Sequence, residues 1–388
     1  MYGASREPSG TRDSDMSKEF LLESGLVYLN HAAVSPWPRR TARAVEAFAE
    51  ENSRVGAFFY PRWMEKEQRL RERLRWLVNA PDAKDIALLK NTSEALSMVA
   101  YGLPWSEGDN IVSITQEFPS NRIVWESLKA YGVEVRLLDL YASDDPEGDL
   151  IALCDRHTRL VSVSSVQYAR GLRLDIERIG AFCHPKDILF CVDAIQHLGA
   201  LPFDVQACQA DFVAADGHKW MLSPEGLALF YVRPEVQDRL QLKQYGWHMV
   251  EHAGDFDRID WRPARDARRF ECGSPNMLAI HALEASLSLL EEMGMETVTS
   301  HIAENRETVL EHARSRGYRI LSPDVPHRLA GIVTFSVPGV SAESLHRKLM
   351  ENRVVCASRG GGIRFSPHFH NTASDIERAF GILDNILK

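Results

Sequence analysis

The sequence predicts an α/β protein, with a mostly parallel sheet in a large domain and a small C-terminal α+β domain. Two short apolar runs, residues 188–192 and 211–215, are rich in β-forming side chains and short enough to be buried strands. Other segments, such as residues 41–54, repeat their apolar positions at helical spacing. Short strands that alternate with amphipathic helices are typical of α/β folds.

Composition narrows the class of protein. The 388 residues contain 45 Lys and Arg against 54 Asp and Glu, a formal net charge of −9. This acidic balance argues against nucleic-acid or membrane-surface binding, since both favour basic patches. No apolar run approaches the roughly 18 residues that a membrane-spanning helix needs. The six cysteines form no C-x-x-C pair, which indicates reduced thiols in a cytoplasmic protein.

The ends of the chain set the predicted domain limits. Residues 1–20 are polar and lack the basic-then-apolar pattern of a signal peptide, so they are predicted to form a mobile tail. Residues 21–290 are assigned to the large domain and residues 291–388 to the small one. The small domain should contain strands at 318–321, 332–337 and 354–357, a helix at 341–351, and a last helix from about Thr372.

The N-terminal half predicts strands and helices in alternation. Residues 26–29 should form a short strand that enters a turn at Asn30 and His31. Residues 86–89 form a further strand, and Asn91 or Thr92 is a good N-cap for the helix that follows. The free N–H groups of such a helix start also suit a phosphate group, although most such starts are only caps. The remaining predictions are helices at 65–77, 122–131 and 175–183, strands at 110–115, 133–138, 160–165 and 227–232, and an exposed acidic loop at 143–149.

An acid and a lysine each follow one of two neighbouring predicted strands. Asp193 ends the run at 188–192, and Lys219 lies just beyond the run at 211–215. Ligands of open parallel sheets bind outside the carboxyl ends of the strands. A lysine for a Schiff base and an acid for a pyridinium nitrogen are what pyridoxal 5′-phosphate (PLP) requires.

The motifs around these residues resemble class V aminotransferases, a family of fold-type I PLP-dependent enzymes. That family also holds cysteine desulfurases, kynureninase and isopenicillin-N-epimerase-like enzymes. The resemblance covers about residues 25–388, in order. It is carried by YLNHAA at 28–33, VDAIQHLGA at 192–200, DGHKW at 216–220, SPEG at 223–226, RFECGSPN at 269–276 and IRFSPHFHNT at 363–372.

The resemblance implies a PLP site. Lys219 would carry the cofactor, with Asp193 against the ring nitrogen and Gln196 on the ring's 3-oxygen. His218 would help to hold the phosphate or the lysine. Phe118 would stack on the ring, where desulfurases have histidine; phenylalanine offers a flat face but transfers no proton. The further cofactor contacts implied are Thr92 and Ser93 to the phosphate and Ser165 near the 3-oxygen, where many relatives have asparagine or histidine.

The resemblance also implies substrate and subunit contacts. Arg364 would clamp the α-carboxylate of an amino acid, a role that suits the planar guanidinium fork. Asn30 and His31 would lie on the substrate side. Ser274 would reach the phosphate bound to a neighbouring subunit, which implies a homodimer. Asp216 stands where many relatives have a phosphate-binding serine, so it is not counted among the phosphate contacts.

The reaction stays open at this stage. An aminotransferase is the favoured interpretation, with a PLP-dependent lyase or an amino-acid epimerase as alternatives. A desulfurase is disfavoured, because the only thiol near Arg364, Cys356, lies in a β-like run. A PLP-binding homologue without turnover and a nucleotide-binding α/β protein are the other possibilities. No metal site is predicted, since His368 and His370 lack an evident third ligand.

Overall fold

The computed structural model describes residues 18–388. Residues 1–17 of the predicted tail lie outside the described residues. Glu19 forms an ion pair with Arg40 at 2.9 Å, and the ring of Phe20 stacks on His370 with centroids 3.6 Å apart. Glu19 and Phe20 thus contact the folded part of the chain, and the predicted tail stays a prediction.

The described chain alternates strands and helices over its first two thirds. The strands are β1 (Val27–Tyr28), β2 (Ile86–Leu89), β3 (Asn110–Ile114), β4 (Glu134–Leu138), β5 (Thr158–Ser164), β6 (Leu189–Asp193), β7 (Phe212–Asp216), β8 (Ala228–Val232), β9 (Arg319–Ile320), β10 (Val333–Ser336), β11 (Val354–Val355), β12 (Ala357–Arg359) and β13 (Gly362–Phe365). The helices are α1 (Arg39–Val55), α2 (Tyr60–Val78), α3 (Thr92–Gly102), α4 (Ser120–Glu126), α5 (Pro146–Ala152), α6 (Ile176–Cys183), α7 (Met277–Met293), α8 (Met295–Ser315), α9 (Ala342–Glu351) and α10 (Ala373–Leu387).

A seven-stranded sheet forms the centre of the larger part of the molecule. Its strand order is β2-β8-β7-β6-β5-β3-β4. Strands β3 to β7 run parallel, and β8 is antiparallel to both of its neighbours. The α/β class and the mostly parallel sheet are thus confirmed.

Both faces of this sheet are buried. Phe190 and Val192 of β6 point into one apolar core, and Leu189 and Cys191 point into the other. Strands covered on both faces are continuous apolar runs rather than alternating ones. This is why the short runs were recognisable in the sequence.

The C-terminal part has its own core. Strands β12, β13, β10 and β9 form an antiparallel sheet in that order. Strand β1 pairs in parallel with β11, and Val27 and Leu29 pack in the core of this part. The N-terminal segment is therefore held by the C-terminal part, while the domain limits at residues 20 and 290 stay a prediction.

The predicted exposed loop at residues 143–149 is wrong. Asp145 caps α5, whose first residue is Pro146, and the side chain of Glu147 is fully buried. Glu147 pairs with Arg328 and accepts a hydrogen bond from the Asp175 backbone N–H at 2.7 Å. The acidic run was predicted to be exposed because Arg328, the cation that pairs with Glu147, lies far away in the sequence.

Along residues 18–388 no helix combines the length and the apolarity that crossing a membrane requires.

Candidate active site

Two neighbouring parallel strands place the central residues of the site. Asp193 is the last residue of β6, and it pairs in register with Ala214 of β7. Lys219 lies in a tight turn three residues beyond β7, where the Leu222 N–H donates to its carbonyl at 3.0 Å. Gly199 packs against the backbone of this turn: a Cβ there would lie 2.2 Å from the Trp220 carbonyl oxygen. Glycine is therefore required for the turn to lie where it does.

Lys219 is a buried amine without a fixed partner. Its side chain makes no hydrogen bond or ion pair with residues 18–388, and its Nζ lies 5.4 Å from the centroid of the Phe118 ring. Burial lowers the pKa of Lys219 to about 8; Asp193 opposes this shift and Arg364 adds to it. The lowered pKa makes the neutral fraction of Lys219 near pH 7 larger than that of an ordinary lysine. The neutral amine is the form that attacks a carbonyl or takes a proton.

Asp193 lies beneath the same cavity. Burial raises its pKa to about 6, while the Ile195 N–H, 3.1 Å from Oδ1, and the charge of Lys219 hold the pKa down. A second acid, Glu117, lies close by and was not singled out from the sequence. Burial raises the pKa of Glu117 to about 8, and the Ser164 N–H donates to its Oε1 at 2.6 Å.

The start of α3 forms one end of the site. Asn91 caps the helix by accepting a hydrogen bond from the Glu94 N–H, as predicted. Ser93 Oγ donates to Ser120 Oγ at 2.8 Å, and Thr92 Oγ1 accepts from the Asp216 N–H at 3.0 Å. The first-turn N–H groups and these hydroxyls suit a phosphate.

Asp216 is turned towards a basic partner. Its Oδ1 lies 2.9 Å from Nδ1 of His218. The acid therefore faces a histidine that lines the same cavity.

Gln196 and Ser165 differ in their placement. Gln196 lines the cavity, and its amide is oriented by two hydrogen bonds of 2.9 Å, to the Ala32 carbonyl and from the Trp220 indole. Ser165 does not line the cavity. It is fully buried, its N–H donates to the Asp193 carbonyl at 3.0 Å, and its Oγ lies 3.2 Å from His197 Nδ1.

Arg364 also lines the cavity. Its Nη1 donates to the Tyr168 carbonyl at 2.7 Å and its Nη2 to Asn30 Oδ1 at 3.3 Å. Burial, and next the charge of Arg359, lower the pKa of Arg364 to about 10. Its Nε is buried without a hydrogen-bond partner among the described residues.

His31 does not reach the cavity. It is fully buried, with Nδ1 2.9 Å from the Ser366 carbonyl oxygen, and its ring packs against His368 and His370 at centroid distances of 5.3 and 4.9 Å. Its neighbours Ala32 and Ala33 line the cavity instead. The strand-to-turn segment was thus recognised, but the direction of the histidine side chain was not.

Ser274 also lies outside this cavity. Its Oγ accepts a hydrogen bond from the Trp247 indole at 3.4 Å. A role at a neighbouring subunit's phosphate therefore stays a prediction.

The cavity has a volume of about 320 Å³ and brings most of the predicted residues together. Several lining residues were not predicted as contacts, among them Asn91, Ser120, Tyr168, Glu225 and Arg359. Arg359 stands directly before three consecutive glycines, which was the one sequence signal that could have drawn attention to it. The predicted residues that line the cavity are Thr92, Ser93, Phe118, Asp193, Gln196, His218, Lys219 and Arg364.

These residues fit PLP. The buried amine of Lys219 has no competing partner, the carboxylate of Asp193 lies at the same cavity, and hydroxyls with helix N–H groups form one end. Arg364, whose Nε is buried without a partner among the described residues, adds a cationic donor to the same cavity. The set provides a donor or an acid for each polar group of the cofactor.

One group of metal-type ligands lies elsewhere. Glu67, His248 and Glu271 bring ligand atoms within 4.8 Å of one another. Arg71 already binds both carboxylates, through Nη2 to Glu67 at 2.6 Å and Nη1 to Glu271 at 2.7 Å. We therefore interpret this group as a buried ion-pair network.

The fold and the site define a PLP-dependent enzyme of fold type I. The sequence model of the family described as Aminotransferase class-V matches residues 27–379. This chain belongs to the class V aminotransferase family, and PLP is its cofactor.

Known proteins similar to this chain carry two kinds of name. A probable cysteine desulfurase of Methanothermobacter thermautotrophicus is 30% identical, over 97% of this chain and 98% of that protein. An uncharacterised aminotransferase, YcbU, of Bacillus subtilis is 29% identical, over 81% of this chain and 82% of that protein.

Solved structures share the fold. The apo cysteine desulfurase of Thermococcus onnurineus NA1 superposes with a TM-score of 0.86 at 23% identity, covering 99% of both chains. The cystine C–S lyase C-DES, in complex with its product cysteine persulfide, gives 0.86 at 23% identity, over 93% of this chain and 97% of that chain.

Proposed function

We propose that this chain is a PLP-dependent lyase that removes a β-substituent from a small α-amino acid. The observation that carries the proposal is the shared cavity of Lys219 and Arg364, with Asp193 at its base. A group that can take the α-proton and a group that can bind the α-carboxylate thus face one space. The names of the 30% identical relative and of C-DES support C–S bond cleavage within this class.

Different residues of the cavity would perform the separate parts of the reaction. When bound, PLP withdraws electrons from the α-carbon of an amino acid. The neutral amine of Lys219 takes the α-proton, and Asp193 keeps a proton on the ring nitrogen. Arg364 orients the α-carboxylate through its fork. The ring of Phe118 lies beside the lysine, offers a flat face to the cofactor ring and transfers no proton itself. The β-substituent then leaves with its bonding electrons.

This lyase would release its product directly rather than through a protein thiol. No cysteine lines the cavity. Cys356 is buried, and burial raises its pKa to about 12, so little thiolate forms near pH 7. The segment from Arg359 to Arg364 is a short hairpin without a thiol. These features separate the proposed reaction from a desulfurase that passes sulfur to its own cysteine.

Transamination is the second candidate, favoured by the name of the Bacillus subtilis relative. Lys219 would return the α-proton to the cofactor carbon instead of expelling a β-substituent. The same residues serve both outcomes, so products must separate them.

The test is a product balance on the cofactor-loaded protein with cysteine, cystine and alanine in turn, with Lys219→Ala as control. A lyase forms pyruvate and ammonia in equal amounts, together with sulfide or a persulfide. An aminotransferase forms keto acid without ammonia and stops after one turnover unless an acceptor is added. Products that persist in Lys219→Ala, or their absence from the wild-type protein with every amino acid, would refute the proposal.

We also propose a cytoplasmic homodimer. Trp247, beside Ser274, belongs to an exposed apolar surface that includes Tyr245, Phe256 and Trp261. Contiguous exposed aromatic surface is typical of subunit interfaces. The cysteines within residues 18–388 are all unpaired, which supports a reducing compartment. Sedimentation of wild type against Trp247→Glu tests the dimer, and an unchanged mass would contradict it.

A further inference from the structure

A short hairpin directs two arginines towards the cavity. Arg359 of β12 pairs with Gly362 of β13, and Arg364 lies two residues further along β13. Residues two apart in a strand, and residues directly opposite in a pair, share one face of the sheet. Arg359 and Arg364 are therefore diagonal neighbours on the same face. The position beside them on that face is Gly362, which places no side chain between the two.

Neither arginine has an acidic partner among residues 18–388. Arg364 donates to the Tyr168 carbonyl and to the amide oxygen of Asn30, and Arg359 donates to the Ser358 carbonyl at 2.9 Å. Both line the cavity. Two neighbouring guanidinium groups repel each other, and an anion bound between them would offset this repulsion.

One α-carboxylate does not account for both cations. A single guanidinium fork binds a carboxylate through two parallel hydrogen bonds, and Arg364 supplies that fork. The cofactor phosphate is assigned to Thr92 and Ser93, at the start of α3. Arg359 is thus left without a role in either contact.

The hairpin holds Arg359 in place. Gly360 and Gly361 form its turn with φ of 59° and 88°, a backbone that favours glycine. The Gly360 carbonyl accepts a hydrogen bond from Arg170 Nε at 3.2 Å, and the Arg170 guanidinium lies 4.0 Å from the centroid of the Tyr141 ring. The backbone that carries Arg359 is therefore anchored to the larger part of the molecule.

We propose that the substrate is an α-amino acid whose side chain ends in an anionic group, such as a carboxylate, and that Arg359 binds this group. The inference rests on the proposed function, because it takes Arg364 as the site of the α-carboxylate. Arg359 is then a specificity residue that selects a second negative charge on the substrate.

The test measures binding without turnover. Succinate and its monoamide, succinamate, have the same length and differ in one charge. Their dissociation constants are measured by calorimetry on the cofactor-loaded wild type, Arg359→Gln and Arg359→Lys. Arg347→Gln, an exposed arginine on α9 outside the cavity, is the matched control. The wild type should prefer succinate, and Arg359→Gln should reduce that preference about 10- to 100-fold, as expected for loss of a hydrogen bond between charged groups. Arg359→Lys should keep part of the preference, and Arg347→Gln all of it.

Two results would overturn the inference. One is equal binding of succinate and succinamate by the wild type. The other is an equal loss for both ligands in Arg359→Gln, which would place Arg359 on the α-carboxylate instead. A third result concerns the proposed function. If Arg364→Gln binds every carboxylate as the wild type does, and amino acids leave the cofactor absorbance of the wild type unchanged, the function itself fails.

Discussion

The buried histidine cluster behind the cavity should make the protein lose stability as the pH falls below 7. His31 and His368 are fully buried, and both ring nitrogens of His370 are buried without a hydrogen-bond partner. Burial lowers the pKa of His31 to about 4, and it lowers the pKa values of His368 and His370 as well. All three are therefore neutral in the folded protein near pH 7.

The direction and the size of this change in stability follow from how many protons the folded and unfolded chains bind. The unfolded chain binds protons to these histidines near pH 6.5, whereas the folded chain resists protonation down to about pH 4 for His31. The stability is fully present above pH 6.5 and is lost as the pH falls towards 4. For His31 alone, the free energy of unfolding should fall by about 2 kcal/mol between pH 7 and pH 5. The other two histidines act in the same direction.

Urea unfolding of the wild type and His370→Phe from pH 7 to pH 5 checks this expectation. A phenylalanine ring can keep the stacking on Phe20 while it removes both unpartnered nitrogens. The free energy of unfolding of His370→Phe should therefore depend less steeply on pH, by up to about 1.4 kcal/mol per pH unit. His327→Gln, at an exposed position, is the control and should follow the wild type. Equal slopes for the wild type and His370→Phe would refute the reasoning.

Three further predictions concern the ion-pair network, the lysine and the thiol. Glu271→Gln should lower the free energy of unfolding by about 3 kcal/mol in urea titrations, because Arg71 stays buried with one acid fewer. The control is Glu50→Gln, which removes an exposed ion pair with Arg54. It should lower the free energy of unfolding by about 0.5 kcal/mol or less. When PLP is added to the apoprotein, the cofactor absorbance band should form at a rate that increases with pH, with a midpoint near 8, the lowered pKa of Lys219. A midpoint of this pH dependence above 10 would contradict a buried amine. Cys356→Ser should keep lyase activity within about twofold, since its thiol is neutral and buried; loss of activity with retained cofactor binding would point to a protein-bound sulfur.

Much of the fold was predictable because the sheet is covered on both sides. Strands β2, β6, β7 and β8 of the central sheet are short, fully buried and mostly apolar runs, and the structure places β2 at Ile86–Leu89, as predicted. The sequence signals for helix ends are also local. Asn91 caps α3, and Thr372 with Asp375 forms a capping box on α10. Such signals lie within a few residues of the element that they define.

The side-chain positions that could not be predicted share a different cause. The acidic run at 143–149 was placed in solvent, but Glu147 is buried against Arg328, 181 positions away. Ser165 does not line the cavity, and its hydroxyl lies 3.2 Å from His197 Nδ1, so its contact with the cofactor stays a prediction. In each case a partner that is distant in sequence decides where the side chain lies.

By itself, the sequence determined the family, the cofactor and the residues that end neighbouring strands, because motif order and strand patterns are local properties. Only the tertiary structure decided which side chains share the cavity. It showed that Arg359 lies beside Arg364 and that His31 turns away into a histidine cluster. The physical reason is that strand register and long-range packing set side-chain direction, and a residue's neighbours in the chain do not encode either.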